Sequence, residues 1–131
     1  MKDKIIDGIN NSKGFIKNNN FKIIELTKEH CIMEYKIKEN GLNPYGIVHG
    51  GIIFGLADTC AGTLAFMSGN TPVTTNANIN YLNKAQGSKL IAEATILKEG
   101  KKIGYYNVNI YDDNNVLIAN STVNMYFTNI K

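Results

Sequence analysis

One stretch of the chain concentrates residue types that can do chemistry: Asn43-Pro44-Tyr45-Gly46-Ile47-Val48-His49-Gly50-Gly51-Ile52-Ile53-Phe54-Gly55-Leu56-Ala57-Asp58. Asp58 is the single acidic residue between Glu39 and Glu93, and its neighbours Ile53, Leu56, Ala57, Cys60 and Leu64 are apolar. An unpaired carboxylate in such company costs on the order of several kcal/mol or takes up a proton. Gly50, Gly51, Gly55 and Gly62 each weaken a helix by about 1 kcal/mol relative to alanine. Two readings of this combination stand. Asp58 is a general base or nucleophile with a tuned pKa, or it accepts hydrogen bonds from a neighbouring strand while the glycines allow close packing.

His49-Gly50-Gly51 opens the same segment. Backbone N–H groups left free at a helix N-terminus, with no side chains in the way, suit a polarised carbonyl oxygen. A Gly-Gly pair lets a substrate approach the backbone closely. The His49 side chain itself reads equally as a structural hydrogen-bonder. Gly50 and Asp58 are eight residues apart in sequence, roughly 12 Å along a helix. Both act on one carbonyl only if two helices lie antiparallel, Gly50 of one subunit facing Asp58 of the other. The spacing therefore predicts a homodimer with two composite sites.

The segment from Ile47 to Met67 is long enough to tempt a membrane reading. His49, Asp58, four glycines and the absence of lysine between Lys38 and Lys84 favour a buried core helix instead. Around it, the first eleven residues present Ile5, Ile6 and Ile9 at helical spacing, and Asn18-Asn19-Asn20 ends that pattern. Phe21 to Thr27 and Cys31 to Lys38 read as strands, the second alternating Cys31, Met33, Tyr35 and Ile37 with polar residues. Leu42 to Val48 is a loop, and Ser68-Gly69-Asn70-Thr71-Pro72 stops the helix. Strands follow at Val73 to Leu82, Leu90 to Leu97, Ile103 to Tyr111 and Val116 to Phe127, with turns at Glu99-Gly100 and Asp112-Asp113-Asn114-Asn115. Short turns between half-polar strands predict an α+β fold, an antiparallel sheet curled around one long buried helix.

A length of 131 residues and 44% hydrophobic content suit a single globular domain over 1–131. All 14 basic residues are lysines, against 11 acids. Without arginine's bidentate fork a nucleic-acid partner is disfavoured, whereas a small anionic ligand is compatible. Cys31 and Cys60 match no metal spacing and read as reduced and partly buried, which fits a cytoplasmic protein. The N-terminus lacks the apolar stretch of a signal peptide. The 19 asparagines are scattered over strands and turns and read as compositional drift.

The combination of Asn43-x5-His49-Gly50-Gly51, Asp58 nine residues after the histidine, the strand Asn78-Ile79-Asn80-Tyr81 and the Gly100-Lys101 turn resembles the hotdog-fold acyl-CoA thioesterases. The branch is that of the phenylacetate-pathway and mammalian mitochondria-associated enzymes, and the likeness runs from about Asn43 to the C-terminus. The resemblance implies hydrolysis of an acyl-CoA thioester, with no cofactor besides the coenzyme A of the substrate. It implies a Gly50 N–H on the thioester oxygen and Asp58 of the facing subunit activating water or attacking the carbonyl. Asn43 and His49 orient the leaving-group side, and Thr74 stands where the family often has a serine near the water. Coenzyme A is implied to run along Tyr81 to Gln86 and the turn Lys98 to Ile103. Tyr81, Lys84, Lys98, Lys101 and Lys102 are thus on the substrate, with Gly51 and Asn76 beside them. The lysines independently suit phosphates as point charges, although Lys98 to Lys102 also reads as an ordinary solvated hairpin turn.

Two other functions compete. A hotdog dehydratase or hydratase needs a histidine and an acid converging on one carbon, which His49 and Asp58 on one helix do not offer. A non-catalytic acyl-CoA-binding protein would have no need of Asp58. The expected assembly is a homodimer, or a dimer of dimers, with no nucleic-acid or membrane partner. The acyl group is left open, with Phe54, Leu56, Phe66, Met67 and Tyr81 as tunnel lining or plain core.

Overall fold

A computed structural model of the chain describes residues 1–128, so the last three residues of the expected domain lie outside the described residues. Two short helices, α1 (Lys2–Asn10) and α2 (Phe15–Asn18), precede β1 (Phe21–Leu26) and β2 (His30–Lys36). The long helix α3 (Gly50–Phe66) follows, and then β3 (Thr71–Tyr81), β4 (Lys89–Glu99), β5 (Ile103–Asp112) and β6 (Leu117–Thr128). The six strands form one antiparallel sheet in the order β1-β2-β4-β5-β6-β3. Strands β2 to β6 all pack against α3. This is the hotdog arrangement of sheet around helix.

The period-two patterning decides which face meets α3. Cys31, Met33 and Tyr35 of β2, Leu90, Ala92 and Ala94 of β4, and Tyr106, Val108 and Ile110 of β5 are buried. They close on Ile53, Leu56, Ala57, Cys60, Ala61, Leu64 and Ala65 of the helix. Cys31 and Cys60, expected to be partly buried, are wholly buried; they form no disulfide, and the Cys60 thiol donates to the Cys31 carbonyl at 3.3 Å. Among the described residues no helix is long and apolar enough to cross a membrane.

Two details depart from expectation, and a third sharpens it. The helix begins at Gly50, where the His49-Gly50-Gly51 reading put its start, although the apolar run begins at Ile47. Ile47 and Val48 belong to a tied loop, in which Val48 bridges Leu42, the Val48 N–H donates to the Ala85 carbonyl at 2.9 Å, and the His49 N–H donates to Gly41 at 2.8 Å. Helix α2, four residues long and ending on Asn18 of the asparagine run, is too short to show a periodic signal. The asparagines are not drift throughout: on the outer face of the sheet Asn120 Nδ2 donates to Asn107 and Asn109 at 3.0 and 2.7 Å, and the Thr122 hydroxyl donates to Asn78 at 3.0 Å.

The two edges of the sheet differ. β1 spans six residues, carries a bulge between Ile23 and Glu25, and lies against α1, whose Asn10 side chain accepts the Ile23 N–H at 2.9 Å. β3 spans eleven residues, most of them exposed, and pairs on one side with β6. A long uncovered edge is a template for another strand.

Candidate active site

His49 caps α3. Its backbone is extended, and its ring Nδ1 accepts the Gly51 N–H at 2.8 Å, so the imidazole replaces one acceptor that the first turn lacks. That bond places the ring proton on Nε2. The His49 carbonyl takes the Ile52 and Ile53 N–H groups at 3.0 and 3.3 Å. Among the described residues the Gly50 N–H has no acceptor. It is the first-turn donor left for a ligand, whereas Gly51, the other glycine of the pair, spends its N–H on the cap.

Tyr81 at the end of β3 closes over this turn. Its hydroxyl donates to the Gly50 carbonyl at 2.8 Å, and a Cβ built on Gly50 would stand 3.3 Å from its ring. Glycine at position 50 thus permits the close approach of Tyr81. Burial pushes the Tyr81 phenol above its usual pKa, which keeps it a donor. Exposed Lys84 follows in the loop whose Ala85 carbonyl is bonded to Val48, so the lysine is tethered beside the same turn. Asn43 uses its side-chain oxygen within its own loop, accepting the Tyr45 and Ile47 N–H groups at 2.9 and 3.3 Å, and no partner engages its amide nitrogen among the described residues.

Asp58 lies two turns further along α3. The expectation of a buried core helix is corrected at this position. The sheet wraps α3 incompletely, and on the uncovered side Asp58 is half-buried rather than sealed. The Thr74 hydroxyl donates to Asp58 Oδ1 at 2.6 Å and lies 3.4 Å from Met125 Sδ. This contact is the neighbouring-strand hydrogen bond of the bland reading, yet it occupies one carboxylate oxygen. Asp58 and Thr74 border a cleft of about 180 Å³ whose other walls include Ile16, Gly62, Pro72, Met125, Ile9 and Phe66.

The structure does not bring all the expected residues together within one chain. Asn76 pairs with Asn124 on the outer face, beyond a bulge that separates it from Thr74, so it faces away from α3. The lysines divide between the two ends of the sheet. Tyr81, just before Lys84, pairs with Ala119 near the start of β6, while Ile103, just after Lys102, pairs with Tyr126 near its end. Seven residues of extended chain separate these points, about 23 Å. Lys98, Lys101 and Lys102 are exposed on a hairpin pinned from beneath, where the buried Tyr106 hydroxyl donates to Glu99 at 2.6 Å. Burial first, and then the Glu99 carboxylate, push the Tyr106 pKa far up.

Two wall residues, Ile9 and Ile16, lie in a region that sequence reasoning left without a function. The apolar face of Ile5, Ile6 and Ile9 was the available signal, and it reads simply as a packed helix. Of the tunnel candidates, Phe66 lines the cleft and Leu56 is core.

Residues 45–119 match the thioesterase superfamily. Acyl-coenzyme A thioesterase 13 of Mus musculus is 32% identical over 92 residues, covering 67% of this chain and 65% of its own length. A Streptococcus mutans protein, solved bound to acetyl-CoA, superposes with a TM-score of 0.83 at 27% identity, over 90% of this chain and 94% of that one. A Haemophilus influenzae thioesterase superposes with a TM-score of 0.89 over 95% of this chain and 90% of that one, and at 22% identity it speaks for the fold.

Proposed function

Because the chain belongs to the thioesterase superfamily, we propose that it hydrolyses an acyl-CoA thioester to the free acid and coenzyme A, in a site shared between two subunits. The observation that carries this reading is that, among the described residues, the Gly50 N–H has no acceptor and Asp58 has one oxygen without a donor. The thioester oxygen accepts the Gly50 N–H, which supports negative charge as the carbonyl becomes tetrahedral. Asp58 takes a proton from water as the water oxygen attacks the carbonyl carbon. The carbon–sulfur bond then breaks, and the leaving thiolate receives the proton from Asp58. With Thr74 bonded to Oδ1, the other oxygen is the one that takes the proton of the water in this reading. No cofactor enters beyond the coenzyme A of the substrate.

The open edge of β3 supports the shared site. Gly50 lies by Tyr81 and Asp58 by Thr74, at opposite ends of β3. A two-fold, antiparallel pairing of β3 with a second copy, centred on Asn78, would set Thr74 across from the partner's Tyr81 once the bulge after Thr74 is counted. The same operation carries the Lys98–Lys102 hairpin toward the partner's Lys84, so that the divided lysines surround one pyrophosphate or 3′-phosphate. His49 remains the cap that presents Gly50, and its distance from Asp58 along α3 leaves a dehydratase without support. The cytoplasm is the compartment this function suits.

Free thiol release from a panel of acyl-CoAs tests the activity. Asp58→Ala is expected to lower it by about 10³-fold or more, and undiminished release would remove Asp58 from the chemistry. Binding without release by the wild type would instead favour an acyl-CoA-binding protein. Heterodimers of Asp58→Ala with Gly50→Pro subunits are expected to regain one working site, and well-formed heterodimers that stay inactive would count against sharing.

A further inference from the structure

The cleft beside Asp58 has a neighbour. A second groove of about 270 Å³ lies along α1, bordered by Lys4, Ile5, Gly8, Ile9 and Phe66. Ile9 and Phe66 line both spaces, one contributed by α1 and the other by the last turn of α3. Each is half-buried, and the two are the residues that the cleft beside Asp58 and the second groove share.

We propose that Ile9 and Phe66 form a gate that sets the length of the acyl chain, with α1 as the outer wall of an acyl channel leading away from Asp58. This rests on the reading of Asp58 as the site of thioester attack, and it names the substrate class for that site. With the carbonyl at Asp58, the acyl group meets the apolar side chains of Ile9, Ile16, Phe66 and Met125 in the same cleft. The first cleft is close in size to an apolar cavity of about 150 Å³ that holds a benzene ring. The gated site therefore takes an aryl, branched or short acyl group and stops a longer straight chain at Phe66. Opening the gate joins the two spaces and gives the chain further apolar surface, which tightens binding roughly 4-fold per buried methylene.

The test uses coenzyme A thioethers carrying butyl, hexyl and decyl groups, which bind without reacting, with affinities measured by calorimetry. Wild type is expected to gain from butyl to hexyl and nothing from hexyl to decyl. Phe66→Ala and Ile9→Ala are each expected to bind decyl at least about 10-fold tighter than hexyl, from two or more additional buried methylenes. Gly8→Leu supplies the reverse change. A Cβ at Gly8 meets nothing within 4 Å, leucine favours the helix over glycine, and the side chain fills the second groove. Added to Phe66→Ala, it is expected to return the wild-type pattern. The gate is overturned if wild type already gains from hexyl to decyl, if both opened variants bind hexyl but gain nothing from decyl, or if Gly8→Leu leaves the decyl gain in place. Thiol release from the matching acyl-CoAs reports separately on the hydrolase. A shifted chain preference in binding with no release keeps the gate and discards the hydrolase, while release with an unshifted preference does the opposite.

Discussion

The two ends of the functional stretch of α3 make opposite use of the chain. At the Gly50 end the chemistry is backbone: an N–H without an acceptor among the described residues, at a position that carries no side chain, beside a Gly51 N–H spent on the His49 cap. At the Asp58 end it is a side chain, oriented by a hydroxyl from another strand and opening on an apolar cleft. Backbone polarity needs only a helix terminus and glycine. A useful carboxylate needs a tertiary partner to fix its rotamer and a gap in the sheet to keep it reachable. The ends lie roughly 12 Å apart, so neither is a complete site by itself.

The strongest way to break this contrast is at Gly50. His49 has φ −61° and ψ 136°, the extended conformation that a residue before proline prefers, and the first helical position accepts proline. Gly50→Pro thus deletes the N–H while sparing the helix, and Gly50→Ala retains the N–H with similar crowding of Tyr81. Thiol release by the proline variant is expected to be about 10²–10³-fold below that of the alanine variant. Equal rates would show that the helix terminus is not the oxyanion donor.

A smaller effect is expected at the other end. Thr74→Val removes the hydroxyl from Asp58, and kcat should fall roughly 10-fold, about one hydrogen bond to a charged group. Thr74→Ser should restore it, and a serine variant as slow as valine would point to packing against Met125 instead. The smallest effects belong to the lysines. Lys84→Gln and the Lys98/Lys101/Lys102→Gln triple are each expected to raise KM several-fold, leave kcat unchanged and weaken the salt dependence of KM. A change confined to kcat would remove them from phosphate binding.

Much of this molecule was legible from local pattern. The alternation in β2 marked its core face, and turn residues marked the hairpins, because side-chain direction in a strand follows sequence parity alone. Asp58 stood out for a similarly local reason, a lone acid in an apolar run. The environment of that acid was not legible. A helix with apolar residues all round reads as sealed, and only the incomplete wrapping by the sheet leaves Asp58 half-buried. Asn76 and the lysines were grouped by the family resemblance. Within one chain a bulge turns Asn76 to the outer face, and the antiparallel course of the sheet puts Lys84 and the Lys98–Lys102 turn at opposite ends, since register and strand direction depend on partners distant along the chain.

The sequence by itself determined the inventory: a glycine-opened helix, one carboxylate within it, a lysine-bearing hairpin and six strands of defined parity. The tertiary structure decided which members of that inventory meet. It put Thr74 on Asp58 and Tyr81 over Gly50, sent the lysines to opposite ends, and set the N-terminal helix beside the cleft. The physical reason is range. Propensity, parity and capping act over a few residues, whereas a cleft forms where segments far apart in the chain are brought together and leave space between them.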